Sequence, residues 1–355
     1  MSQALRVGVV GCGVGRQHVA AFQGLPSQFE VAALCDTDPA KAREAAAGAG
    51  PGVVRIAADL AELCRMDQVD VIDICTPPHL HYEQSLQALA AGKHVICEKP
   101  IARSLQQVDE LIAAEAESGR RLMPIFQYRF RAGLQKLKLL VDSGVAGRAY
   151  LTTVETAWRR RADYYEVPWR GKWKTEMGGP MFSLATHAHD AMTYILGPVK
   201  SVFARMATRV NPIETEDCVS ASLEMGDGSL CTLSVTTGSA RQISRHRFCF
   251  TNLTAESHTE PYSNTSDPWT FTGDSPEAEQ RIQGTLARYE PMPEGFAGQF
   301  YRFYQALPGG ELPVTLADAR AAVELVTAAY YSARTGQPAG LPLGRDHPYY
   351  AGWQP

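Results

Sequence analysis

The chain has no Cys-x-x-Cys pair among its eight cysteines, no repeat or low-complexity tract, and no apolar run near the roughly 18 residues of a membrane span. Cysteines at 12, 35, 64, 75, 97, 218, 231 and 249 fall mostly in apolar, strand-like segments, so reduced, buried thiols are expected rather than disulfides. The net charge of −4 leaves no basic stripe for a nucleic-acid backbone; the short cluster Arg159-Arg160-Arg161 is too little. The first residues lack the charged region, apolar run and cleavage site of a signal peptide, so a soluble, cytoplasmic chain is expected, with no membrane or nucleic-acid partner.

What the chain does have is length and apolar content: 355 residues, 45% hydrophobic, enough for two domains with separate cores. As far as residue 126, apolar runs at 5–10, 31–35, 53–57, 69–75, 94–97 and 121–126 alternate with helical patterns at 17–23, 39–47, 60–65, 79–91 and 105–118. Strands separated by helices of that length predict parallel crossovers and a doubly wound α/β sheet. Ser104 reads as an N-cap with Gln107 three residues on, and Gly119 stands where that helix should stop.

After Phe126 the pattern changes to a helix at 132–143, strand-like stretches at 149–158, 199–210, 218–224 and 229–237, and helices at 296–307 and 316–335. Turn signals between successive strands, Gly226-Asp227-Gly228 the clearest, predict an α+β domain with a largely antiparallel sheet. The stretch 257–295, rich in Pro, Ser, Thr, Gly and acidic residues, reads as loop with one or two short strands near 269–272. The expected domains are 1–126 and 127–355.

Gly11-Cys12-Gly13-Val14-Gly15 follows an apolar strand and opens a helix, the setting in which glycines let backbone approach a pyrophosphate at a helix N-terminus. The third glycine comes early, with Arg16 in its usual place near the phosphates. Asp36 ends the second strand, where a carboxylate accepts from ribose hydroxyls and repels a 2′-phosphate. NAD is therefore favoured, with NADP as the alternative through Arg43. The competing role for Asp36 is capping the helix that begins at Pro39, for which Asp38 is better spaced.

Thr76-Pro77-Pro78-x-x-His81, then Ala90-Ala91-Gly92-Lys93-His94-Val95, then Glu98-Lys99-Pro100 resemble the glucose-fructose oxidoreductase / inositol dehydrogenase / MocA (Gfo/Idh/MocA) family. The likeness extends through Arg129-Phe130 and Trp169-Arg170-Gly171-Lys172-Trp173 to His187-x-x-Asp190. It implies a Rossmann domain, an open-faced sheet domain that supports homodimers or homotetramers, and NAD(P)-dependent oxidation of a sugar or cyclitol hydroxyl. It also implies that Thr76, Pro77, His81, Glu98 and Lys99 belong to the cofactor site, and that Lys99 and His187 are catalytic.

An ammonium at a strand's carboxyl end can stabilise charge on a reacting hydroxyl oxygen, and an imidazole of near-neutral pKa can take its proton. Read as one helix, the segment puts Ser183, His187 and Asp190 at i, i+4 and i+7 on a shared face, with His189 turned away. Asp190 then either orients the imidazole or makes a structural hydrogen bond. Many family members carry aspartate where this chain has Ser183, and a hydroxyl cannot supply a carboxylate's charge. No metal site is expected, because helical geometry splits His187 from His189.

Tyr164, Trp169 and Trp173 are candidate substrate contacts, since aromatic faces cover the apolar patches of a sugar ring. The alternative is that they bury a long loop. Two rival functions stand beside net dehydrogenation. One is an NAD-cycling glycoside cleavage that returns its hydride; the other is a non-catalytic sensor of dinucleotide or sugar.

Overall fold

In the computed structural model, which describes residues 4–48 and 54–355, the apolar runs of the first third become a six-stranded, all-parallel sheet. Its strands are β1 (Leu5–Val10), β2 (Phe29–Cys35), β3 (Arg55–Ile56), β4 (Val71–Ile74), β5 (His94–Cys97) and β6 (Leu122–Pro124), in the order β3-β2-β1-β4-β5-β6. That order reverses beside β1, as in dinucleotide-binding sheets. Val53, the expected start of the third strand, lies outside the described residues. The intervening helices are α1 (Gly15–Gln23), α2 (Pro39–Ala47), α3 (Leu60–Arg65), α4 (His81–Ala90) and α5 (Leu105–Ser118). Val7, Val9, Ile72, Ile74, Val95 and Ile96 are fully buried, as expected of strands covered on both faces.

Local chemistry sets several of these boundaries. Asp38, Asp59 and Ser104 each accept a backbone N–H from the first turn of α2, α3 and α5, and Gly119 ends α5 at φ 63°.

The rest of the chain builds α6 (Ala132–Asp142), β7 (Ala149–Arg159), α7 (Pro180–Ser183), α8 (Thr186–Leu196), β8 (Val199–Ala207), β9 (Cys218–Met225), β10 (Leu230–Thr236), β11 (Gly238–Phe250), β12 (Leu253–Ser257), β13 (Trp269–Gly273), α9 (Pro276–Leu286), α10 (Gly295–Ala306), α11 (Leu316–Thr335) and β14 (Ala339–Gly340). Eight strands form a sheet in the order β13-β12-β11-β7-β10-β9-β8-β14, antiparallel except where β7 and β10 run parallel. Alternate residues of β10 are buried and exposed, so one face of the sheet meets the core. That core joins Leu134, Leu137 and Leu140 of α6, Ala191 and Ile195 of α8, Phe248 of β11 and Trp269 of β13.

By compactness the chain divides into Met1–Phe126 with Pro293–Arg320, and Gln127–Met292 with Ala321–Pro355. Within the first unit, α10 returns to cover α1: Phe300 stacks on Phe22 with ring centroids 4.2 Å apart.

The expectation of a loop over 257–295 is corrected by α9, which Ser275 caps through the Ala278 N–H, with Pro276 at its first position and Glu277 and Glu279 in its first turn. Among the described residues no helix is long and apolar enough to cross a membrane.

Candidate active site

Parallel strands deliver their carboxyl ends to one edge, and in the first unit that edge carries the loops named by sequence. Gly11 follows β1 at φ 91°, and a Cβ there would meet the Cys75 carbonyl oxygen at 2.6 Å, so only glycine lets β1 and β4 leave the sheet so close together. A Cβ on Gly13 would meet nothing within 4 Å, which leaves its backbone open to an approaching group. Gly15 packs the start of α1 against Val9 and Cys75. Val14 occupies the N-cap position without a side-chain hydrogen bond, whereas α2, α3 and α5 are all capped by their own side chains. A glycine cradle leading to an uncapped helix N-terminus fits the pyrophosphate of a dinucleotide.

Asp36, partly exposed at the end of β2, accepts the Cys12 N–H at 2.7 Å through Oδ2 and the Asp38 N–H at 2.8 Å through Oδ1. It ties the glycine loop to the neighbouring strand, while Asp38 does the helix capping. Arg16 pairs with Glu44 at 3.0 Å, both side chains more than half exposed.

Thr76 and Pro77 follow β4. His81, almost fully buried, sets Nε2 2.7 Å from the Thr76 carbonyl and Nδ1 2.8 Å from the Pro100 carbonyl, bracing the ends of β4 and β5. Burial lowers its pKa, against the pull of both carbonyls and Glu98. Lys99 leaves the end of β5 half-buried, its backbone N–H donating to Glu98 Oε2 at 3.0 Å.

Behind Lys99 lies a network that sequence reasoning missed. His18 of α1 is fully buried, with Nδ1 2.9 Å from Asp73 Oδ2 and Nε2 3.2 Å from Glu98 Oε1. Burial alone would discharge this ring, but Asp73 and Cys75 outweigh it and hold the imidazole well above its ordinary pKa. Glu98 is kept below the usual carboxylate range: burial opposes its charge, and the His18 hydrogen bond and the His18 and Lys99 charges overcome that. His18, Asp73 and Cys75 also form the one cluster among the described residues compact enough to weigh as a metal set. Both ring nitrogens already face carboxylates, which fits a proton-bearing ring rather than a ligand. The available signal was a histidine one turn into α1 together with a lone aspartate inside an apolar strand.

In the second unit, His187 lies in the first turn of α8 and is 6% exposed, with the Tyr128 ring stacked on it at 4.5 Å. Asp190, one turn on, takes Arg129 in a bidentate pair, Nε to Oδ2 at 2.9 Å and Nη2 to Oδ1 at 2.6 Å, with both side chains buried. On strand β11, His246 is pushed down to about 4 by burial; its Nε2 meets the Ala188 carbonyl at 3.0 Å and its Nδ1 accepts from Asn264. The helix carrying His187 is thus anchored by an ion pair and by a neutral imidazole.

The single helix expected to align Ser183 with His187 and Asp190 is corrected. α7 ends at Ser183, and the Ala185 N–H reaches back five residues to the Pro180 carbonyl at 2.7 Å before α8 restarts at Thr186. The wide turn breaks the helical register, so only His187 and Asp190 share a helix. Ser183 Oγ donates to the Gly179 carbonyl at 3.1 Å.

Of the aromatic candidates, Tyr164 lies between two cations, Arg170 at 3.6 Å and Arg160 at 4.9 Å from its ring centroid. Trp169 flanks Arg170 and its carbonyl accepts from Thr175. Trp173 meets Tyr330 edge-on at 5.5 Å. All three are half-buried. Arg160 is the member of the arginine triplet packed against Trp158, Tyr164 and Tyr262, while Arg159 and Arg161 are exposed.

Comparison with known proteins identifies the family of the chain. Residues 5–126 match the family model described as oxidoreductase family, NAD-binding Rossmann fold, and residues 134–255 match the GFO/IDH/MocA C-terminal domain. The chain is 33% identical to D-glucoside 3-dehydrogenase of Escherichia coli K12 over 215 residues, 59% of each protein. It is 31% identical to inositol 2-dehydrogenase 1 of Saccharopolyspora erythraea over 237 residues, 66% of this chain and 65% of the relative. The matched stretch thus spans less than two thirds of either curated relative. The crystal structure of the WlbA dehydrogenase from Bordetella pertussis, in complex with NADH and UDP-GlcNAcA, superposes with a TM-score of 0.84 at 29% identity, covering 96% of this chain and all of that one. The chain belongs to the Gfo/Idh/MocA oxidoreductase family, and its first unit is an NAD-binding Rossmann domain.

Proposed function

We propose that this protein oxidises a secondary hydroxyl of a sugar, sugar derivative or cyclitol, with NAD preferred over NADP as the hydride acceptor. The observation that carries the reading is the edge of the first sheet, where neighbouring strands β2, β1, β4 and β5 end in Asp36, the glycine loop, Thr76 and Lys99. The names of two relatives, a glucoside and an inositol dehydrogenase, support a polyol ring as substrate.

Bound NAD supplies the site that takes the carbinol hydrogen as hydride. The glycine loop and the N-terminus of α1 hold its pyrophosphate, and Asp36 accepts from its ribose. Lys99 donates a hydrogen bond to the reacting hydroxyl oxygen and stabilises the charge that gathers there. His187 takes the hydroxyl proton, leaving a ketone. Arg129 occupies Asp190, which supports a structural role for that carboxylate. Tyr164, Trp169 and Trp173 remain the proposed sugar-facing aromatics.

The test is an absorbance screen of sugars, uronates, inositols and glycosides with NAD and, separately, NADP. Reduced cofactor is expected to accumulate with one substrate class. Lys99→Ala and His187→Ala should each lower kcat by about 10²-fold to 10⁴-fold while NAD still binds. Unchanged turnover in both variants would sink the assignment. Substrate consumption without net reduced cofactor would favour the cycling reading, and binding without turnover the sensor.

A further inference from the structure

The sharpest convergence outside the named motifs is on the Gly179 peptide. Glu216, buried between β8 and β9, accepts the Gly179 N–H at 3.0 Å through Oε2 and the Met181 N–H at 3.2 Å through Oε1. Tyr330 of α11 donates its hydroxyl to Glu216 Oε2 at 2.5 Å, and the same hydroxyl oxygen accepts the Gly179 N–H at 3.1 Å. No side chain fits at position 179: a Cβ there would lie 2.0 Å from the Glu216 carbonyl oxygen and 2.5 Å from its carboxyl carbon.

The other end of the same residue reaches Ser183. The Gly179 carbonyl accepts the Phe182 N–H at 3.0 Å, the Ser183 N–H at 2.9 Å and the Ser183 hydroxyl at 3.1 Å. One glycine therefore links Glu216 and Tyr330 to Ser183, four residues before His187. The C-terminal segment braces the arrangement. Trp353, fully buried, stacks on Tyr330 at 5.5 Å, meets Phe182 edge-on at 5.0 Å and donates its indole N–H to the Met177 carbonyl at 3.0 Å.

We propose that Glu216 and Tyr330 are positioning residues, a two-side-chain clamp on the Gly179 peptide that sets the α7 turn and through it the placement of Ser183 and His187. An ordinary structural carboxylate would gain as much at a solvated helix end. This one is fully desolvated: burial pushes it up to about 7, while the Tyr330 hydroxyl and the backbone N–H groups of Glu216 itself, Met181 and Gly179 pull it back. Such a placement costs stability unless geometry returns it elsewhere. The inference rests on the hydride-transfer reading only for what the clamp serves, and the clamp itself is tested without turnover.

Tyr330→Phe keeps the ring stack and removes only the hydroxyl; Glu216→Ala removes the acceptor, and Glu216→Gln retains one carbonyl oxygen. In the full chain, amide hydrogen exchange at 177–183 should speed about tenfold in Tyr330→Phe and more in Glu216→Ala, with Glu216→Gln closer to wild type, while β1 and α1 keep their protection. The ring resonances of His187 should shift in the same order. On the sugar class found in the screen, kcat should fall about tenfold with the KM for NAD unchanged. Wild-type exchange and wild-type His187 resonances in Tyr330→Phe and Glu216→Ala would overturn the clamp, as would a lowered melting temperature with kcat and His187 unmoved. If the wild-type chain oxidises nothing in the panel, the hydride-transfer reading fails, and exchange and resonances alone still decide the clamp.

Discussion

Asp36 shows how one carboxylate can serve scaffold and ligand together. Each of its oxygens already accepts one backbone N–H, from Cys12 across the loop and from Asp38 two residues on, and each retains a lone pair. A ribose diol can use those remaining pairs, so in the proposed function the residue that shapes the glycine loop would also bind the cofactor. Asp36→Asn keeps one oxygen but replaces the other with a donor that opposes an N–H. Hydrogen bonds to a charged acceptor contribute about 1.5–3 kcal/mol, so the KM for NAD should rise roughly tenfold to a hundredfold. The charge that repels a 2′-phosphate disappears as well, and the preference for NAD over NADP should narrow. Steady-state kinetics with both cofactors checks this, and an unmoved ratio of their KM values would count against Asp36 as the selecting group. The aspartate was legible because it ends an apolar strand; its grip on Cys12, 24 residues earlier, leaves no local pattern.

Between elements, the buried His18 joins α1 to β4 through Asp73 and to the end of β5 through Glu98, so one charged ring with an N–H on each nitrogen ties three elements together. Because the folded pKa of His18 is raised, its contribution to stability is complete below the ordinary value of about 6.5 and is lost as pH climbs through the folded value. Urea midpoints from about pH 6 to about pH 10 should therefore fall on the alkaline side, and His18→Gln should flatten that fall. Parallel curves for the two proteins would remove His18 from the account. Elements bounded by local chemistry were legible to the residue: α2 begins after Asp38 with Pro39, and α5 runs between Ser104 and Gly119. The longest strand, β11, was not. Its first part, Gly238 to Gln242, is bulged against β7, and of the inward-facing residues that follow, Ser244, His246, Phe248 and Phe250, only the last two are apolar. The cap of α9 was present at Ser275-Pro276 but sat in a stretch whose composition reads as loop. Glu216 was illegible for another reason, since its partners lie 37 and 114 residues away.

At the scale of the whole chain, the first unit is completed by a segment that follows more than 160 residues of the second. No periodicity could announce this, because helix α10 has the same amphipathic pattern whichever core it joins. Its packing shows why the return matters. Phe300 is fully buried and stacks on Phe22, Phe296 packs on His18 at 4.3 Å, and Gln299 closes the end of β6 by bonding the Phe126 N–H and the Pro124 carbonyl. Without α10, the helix that begins at the glycine loop would expose its apolar face and the buried His18 to water. Phe300→Ala removes the largest of these contacts and should cost about 3–5 kcal/mol. The loss should concentrate in the first unit, as faster amide exchange in α1 and β1 while α8 and β10 keep theirs. NAD binds the folded unit alone, so cofactor at a hundredfold excess over its Kd should return about 2.7 kcal/mol of that loss. A loss under about 1 kcal/mol, or one spread equally over both units, would mean that α10 covers the first unit without holding it together.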